Sequence, residues 1–213
     1  MRKDDWQIKT IIEMLDDIYD TCSAFKDFVD SNGDSMYWYN WEDQIRYSYN
    51  DFYLGSGASR GVIIFYDYDY VVKFDFREEQ DQGYSQREVN LYQTAKEHNM
   101  QEFFAPAYHV GTFHYLDLYV MAKADINEDL ICSCVYDSHH YEDNIDKIPE
   151  EVSLYMSLDD IKAITNVFAE FYSIEVVNKL LAFCEKFNIF DIHDANMGLI
   201  GGNPVLIDYA GYN

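Results

Sequence analysis

Between Phe52 and Phe76 the apolar residues of this chain stop recurring at helical steps and run in short blocks of strand length. Val62-Ile63-Ile64-Phe65 is one block and Tyr70-Val71-Val72-Lys73-Phe74 another, with Asp67-Tyr68-Asp69 as the turn between them. Blocks of this length, rich in β-branched and aromatic side chains and bounded by polar turn residues, predict paired strands. Leu54-Gly55-Ser56-Gly57, just ahead, reads as a glycine turn. Residues 84–98 return to helical spacing through Val89, Leu91, Tyr92 and Ala95. Two more strands are predicted over 107–112 and 115–122, turning near Phe113-His114. Strands, a helix, strands again and then a helical remainder describe an α+β fold.

The flanks read less evenly. Trp6, Ile8, Ile11, Leu15, Ile18, Phe25 and Phe28 predict one amphipathic helix over 5–30. Ser31-Asn32-Gly33 stops it, with Gly33 suited to the left-handed position after a helix. Residues 34–50 show no clean period and receive no element. The stretch 125–160 carries eleven acids and one base, Lys147, and reads as a solvated, partly irregular insert. Ser157 is the expected N-cap of a helical segment over 158–187 that breaks near Ser173. A loop over 188–198 leads to two short strands, Gly198-Leu199-Ile200 and Val205-Leu206-Ile207, joined by Gly201-Gly202-Asn203-Pro204.

Charge then removes whole classes of function. The 213 residues hold 15 Lys and Arg against 39 Asp and Glu, a net charge of −24. Affinity for nucleic acid through phosphate neutralisation needs a cationic footprint, and so does docking on an anionic membrane surface. Neither direct nucleic-acid binding nor membrane association is expected. Hydrophobic residues make up 48% of the chain, enough to build a core. The cysteines Cys22, Cys132, Cys134 and Cys184 form no C-x-x-C pair, and they read as reduced thiols. No apolar signal core follows Met1-Arg2-Lys3-Asp4-Asp5, and the expectation is a soluble, cytoplasmic protein.

Three separated elements carry chemistry. Gly55 and Gly57 let a backbone turn approach phosphate, with amide groups aimed at anionic oxygens. Lys73 sits inside an apolar strand, where an unpaired charge is costly, and Glu88 on the next helix is its natural partner. Such a pair can hold an ammonium against phosphates. The third element is Phe190-Asp191-Ile192-His193-Asp194-Ala195-Asn196, followed by Leu206-Ile207-Asp208-Tyr209-Ala210-Gly211. Asp191 would orient a hydroxyl nucleophile or accept its proton, while Asn196 and Asp208 offer hard oxygen ligands for Mg²⁺.

In this order the elements resemble a protein-kinase fold. The loop D-I-H-D-A-N is closer to the D-L-H-P-G-N of the aminoglycoside kinases than to H-R-D-L-K-x-x-N. The chain is most similar to the early serine/threonine kinases of autographivirus-type podophages, from about Leu54 to Tyr209. The resemblance implies ATP and Mg²⁺ as cofactors. It implies that Gly55, Ser56, Gly57 and Val62 cover the nucleotide and that Lys73, paired with Glu88, contacts its phosphates. Met121 would back the adenine pocket, and Ala122 and Ala124 would belong to a connector offering backbone hydrogen bonds. Asp191 would be catalytic, and Asn196 and Asp208 metal ligands. There are departures. Arg60 stands at the third glycine position with Gly61 beside it, and Asp208-Tyr209-Ala210 replaces D-F-G. The chain stops five residues after Asp208, so the expected kinase-like fold lacks an activation segment.

The expected organisation is an N-terminal helical extension over 1–50, a small β-rich lobe over 51–122, and a truncated helical lobe over 123–213 with an acidic insert at about 125–157. The function expected is a minimal protein kinase acting on Ser or Thr of itself or of host proteins, whose basic or nucleic-acid-associated members the acidic field would favour. Two alternatives stand beside it. One is a nucleotide-binding pseudokinase acting by contact. The other is an acidic DNA mimic that occupies a host nucleic-acid enzyme.

Overall fold

In the computed structural model, the described residues are 6–45, 51–126, 128–137, 139–149, 152, 156–190 and 192–210, with 81, 128 and 137 described by backbone alone. The chain forms two compact units, Met1–Val89 with Pro106–Lys123, and Asn90–Ala105 with Ala124–Asn213. The first holds an antiparallel sheet and the second is mainly helical, the α+β content that the patterning implies.

The first unit opens with α1 (Trp6–Thr21), α2 (Ser23–Asp30) and α3 (Ser35–Ile45). The single helix expected over 5–30 is therefore two. Cys22 adopts an extended conformation that breaks it, and the break lets Leu15 of α1 and Phe25 and Phe28 of α2 enter one core. The α2 end is closed by Gly33 N–H donating to Phe28 O and Asn32 N–H to Val29 O, with Asn32 and Gly33 both left-handed. The aperiodic stretch after it folds as α3 because Trp38 and Trp41 alone need burial, and both are fully buried.

The sheet consists of β1 (Phe52–Ser56), β2 (Arg60–Phe65), β3 (Tyr70–Asp75), β4 (Ala107–Phe113) and β5 (Leu116–Ala122) in the order β1-β2-β3-β5-β4, antiparallel throughout. Alternation along each strand separates two faces. Leu54, Ile63, Val72, Phe74, Leu118 and Val120 face one aromatic core with Phe25, Phe28, Trp38 and Trp41. Each large side chain buried there contributes about 1.5–3 kcal/mol. The segment expected as an extension thus shares the sheet's core and belongs to its compact unit. The next helix, α4 (Tyr84–Glu97), lies between β3 and β4 in sequence.

The second unit contains α5 (Glu128–Asp137), α6 (His140–Asn144), α7 (Leu158–Phe168) and α8 (Ile174–Lys186), then the hairpin β6 (Met197–Ile200) and β7 (Asn203–Leu206). The described residues of the acidic stretch include two helices, α5 and α6. Ile131 and Cys134 of α5 are buried, and Asn166 of α7 binds Tyr141 N–H and Val135 O. Ser157 and Asp160 form a reciprocal capping box at the start of α7. Gly201 and Gly202, both at positive φ, turn the hairpin. No helix among the described residues is long and apolar enough to cross a membrane.

Candidate functional site

The second face of the sheet gathers four of the residues singled out in the first unit. Gly55 pairs with Val62, Val62 with Lys73 and Lys73 with Tyr119, so a single cross-strand row carries three of them. Met121 stands one row along, paired with Val71. Strand alternation puts all four on the side opposite the aromatic core.

Lys73 is the chemical centre of this face. Its Nζ lies 2.9 Å from Glu88 Oε2 and 3.1 Å from Oε1, with side-chain exposures of 8% for Lys73 and 1% for Glu88. Burial without a partner would be prohibitive for either group, so each accounts for the other. The helix is set for this contact by a second link. Asp75, two residues along β3 on the same face, accepts from Ser85 N–H and Oγ, and Glu88 follows one turn later on α4.

A third charge joins the pair. Arg60 Nη1 lies 2.9 Å from Glu88 Oε1 as an ion pair, not as an aligned hydrogen bond, and its side chain is 5% exposed. Sequence reasoning saw Arg60 only as a departure from a glycine pattern. The cross-strand register was the missing signal: Arg60 and Lys73 are diagonal neighbours on one face.

The glycine turn connects β1 and β2, closed by Gly57 N–H donating to Arg60 O at 3.0 Å. A Cβ at Gly57 would meet nothing within 4 Å and one at Gly55 would make ordinary contact with Tyr53, so packing within the chain does not require glycine at either place. Gly61 differs. A Cβ there would lie 2.4 Å from Trp38, so this glycine serves the aromatic core. The turn is tied to α3: Ser56 Oγ donates to Glu42 Oε2 at 2.7 Å, and Tyr39 Oη to Gly57 O at 3.4 Å.

One backbone donor of the expected connector is already engaged. Ala122 is the last residue of β5, and its N–H is spent on Pro106 O at 2.8 Å. That bond leaves the Ala122 N–H engaged within the chain. Lys123 Nζ closes the β2–β3 turn, donating to the carbonyls of Phe65, Tyr66 and Tyr68.

In the second unit Ala124 packs against the hairpin, where a Cβ on Gly198 would come within 2.7 Å of its own Cβ. Asp125 and Leu199 exchange backbone hydrogen bonds of 2.8 Å each way. Asn196 and Asp208 flank one end of the same hairpin. Ile207 N–H donates to Asn196 O at 3.0 Å, placing Asp208 one residue beyond that link. Asn196 Nδ2 lies 3.1 Å from His193 Nε2, and both Asn196 and Asp208 are half-buried. Among the described residues no group of three or more His, Cys, Asp and Glu could hold a metal ion, so Asn196 and Asp208 stand here only as two oxygen-bearing side chains at one hairpin end. Asp191 lies outside the described residues.

Asp160 stands in the first turn of α7. Its Oδ2 belongs to the capping box, and its buried Oδ1 accepts from Ile192 N–H at 2.6 Å, fixing the chain immediately after Asp191. On the same loop Asp194 accepts from the Cys132 thiol, and this bond foremost holds its carboxyl below the usual range.

A cavity of about 330 Å³ in the first unit is lined by Asp75, Gln86, Asp117 and Tyr119 among others, and by none of the predicted site residues. Burial, then Asp117 and Asp75, push the Tyr119 hydroxyl up to about 12.

No protein-family model matches this sequence, and no curated protein matches it. Among solved structures the chain is similar to the streptomycin–ATP ternary complex of APH(2″)-IIa. The likeness runs at 14% identity over 81% of this chain and 70% of that one, with a TM-score of 0.36.

Proposed function

We propose that the chain is an ATP-dependent phosphotransferase of the kinase-like kind, acting on Ser or Thr hydroxyls of proteins. One observation carries this reading: the buried Lys73–Glu88 pair shares a sheet face, in adjacent register rows, with Gly55, Val62 and Met121. A strand lysine facing water would need no glutamate, and a purely structural glycine turn would need glycine for its own packing. Neither description fits these residues.

In this function Lys73 contacts the nucleotide phosphates, and Glu88 fixes its direction. Gly55 and Gly57 carry no side chain to keep phosphate off the turn, with Ser56 between them, while the Gly57 N–H itself stays on Arg60 O. Val62 and Met121 offer apolar surface to the base, and Ala124 rather than Ala122 supplies the connector contact. Asn196 and Asp208 hold Mg²⁺, whose contribution is charge neutralisation. The substrate hydroxyl oxygen forms a bond to the γ-phosphorus while the bond to the β–γ bridging oxygen breaks. ADP leaves and the hydroxyl proton passes to Asp191. The net charge of −24 opposes an incoming triphosphate and favours basic protein substrates, host proteins among them.

The test is incubation with γ-labelled ATP, Mg²⁺ and a basic carrier protein. Wild type transfers label, Lys73→Ala and Asp208→Ala do not, and Asp191→Asn loses transfer while keeping a nucleotide-induced thermal shift. Unchanged incorporation in Asp191→Asn sinks the assignment. A thermal shift in wild type without any turnover selects a contact-acting, nucleotide-binding protein instead.

A further inference from the structure

Arg60 occupies a position where a glycine loop of the resembled kind has glycine, yet its side chain is among the most buried charges in the chain. It reaches inward from the first residue of β2. There it meets the same carboxylate as Lys73, and Glu88 Oε1 serves both, 2.9 Å from Arg60 Nη1 and 3.1 Å from Lys73 Nζ. Glu88 Oε2 is turned to Lys73 at 2.9 Å. The Tyr84 ring lies 6.0 Å from the Arg60 guanidinium carbon, at the start of the helix that carries Glu88. Asp75, opposite Arg60 in the ladder, is engaged with Ser85.

We infer that Arg60 is a positioning residue that shares Glu88 with Lys73, so that the carboxylate stays compensated when the lysine is drawn toward a phosphate. The use assigned to Lys73 rests on the reading proposed above, but the sharing itself does not. A carboxylate as buried as Glu88 cannot lose its cation without a large penalty. With Lys73 as sole partner, the ammonium would be bound to its place by that penalty. With Arg60 present, Glu88 keeps a charge-assisted contact while Lys73 redistributes its three donors. Arg60 suits this role because its guanidinium is always charged, so it compensates the carboxylate by charge alone. Its place at the end of the β1–β2 turn also ties that turn to α4 through one carboxylate.

The test needs no nucleotide. The full-length protein is acylated with acetic anhydride and the rate at each lysine is read by mass spectrometry, with exposed Lys9 and Lys179 as internal controls. In Arg60→Gln the carboxylate loses one of its two cations and leans more on Lys73, and acylation of Lys73 slows several-fold while Lys9 and Lys179 keep their rates. Mere loosening of the fold would speed Lys73 instead. A faster or unchanged rate therefore overturns the inference. Arg60→Lys keeps the charge and gives the second reading, and it holds if Arg60→Gln fails to fold. Its Lys73 rate stays at the wild-type level, and a clear departure overturns the inference. With MgATP, Arg60→Gln raises the concentration needed for a half-maximal thermal shift several-fold, whereas Arg60→Lys does not. A wild type that shows no MgATP shift breaks the proposed function and leaves the acylation result standing.

Discussion

The two faces of the five-stranded sheet are made by alternate residues of the same strands, yet they do different work. On β3, Val72 and Phe74 enter a core with Phe25, Phe28 and Trp38, while Lys73 between them reaches a buried glutamate on the opposite side. The first face is aromatic and closed by three helices, and its energy is mostly dispersion and apolar burial. The second is half-open and built on one ion cluster, which is weak evidence for stability because desolvation cancels much of its attraction. Stability and chemistry are thus separated by a single residue along each strand. A substitution can strike one face and leave the other.

The largest expected effect is on the closed face. Phe74→Ala opens a cavity against Phe25, Phe28 and Trp38 and lowers stability by about 3–5 kcal/mol, read by urea denaturation. A loss no greater than that of a surface substitution would break the contrast between the faces. Next comes Lys73→Ala. It removes the MgATP-induced rise in melting temperature but costs only about 1–3 kcal/mol, because Arg60 still accompanies Glu88. A stability loss exceeding that of Phe74→Ala would place the main structural role on the ion cluster. The smallest effect is at Val62→Ala, on the open face and directly opposite Lys73 in the register. Stability falls by about 0.5–1.5 kcal/mol while the dissociation constant for ATP, measured by titration, rises a few-fold. Unchanged nucleotide affinity there would remove Val62 from the proposed site.

Much of this arrangement was legible in the residues. The strand blocks, the helix over 84–98, the Ser157 cap and the break at Ser173 follow from local period and capping chemistry, and all four are present. The Lys73–Glu88 pair was legible because a lysine flanked by valines and a phenylalanine demands a counter-charge. Other features were not. The break at Cys22 contradicts an unbroken helical period, and only the shape of the core beneath α1 and α2 calls for it. Residues 35–45 form a helix from two buried tryptophans without a full apolar stripe. Ala122 was expected in a connector offering backbone hydrogen bonds, but β5 extends to it and its N–H goes to Pro106. Gly61 resembled a displaced phosphate-loop glycine, whereas its role is to admit the Trp38 ring.

What the sequence by itself determined is local: which segments are strands or helices, where two helices begin, and that one buried lysine needs an acid. Those outcomes depend on interactions within a few residues, and side-chain type and spacing encode them directly. The tertiary structure alone decided that Arg60 shares Glu88, that α3 holds the glycine turn through Glu42, and that Asp160 pins the backbone at Ile192. Each of these joins groups from different elements, and their meeting is set by strand register and helix docking, which no local pattern records.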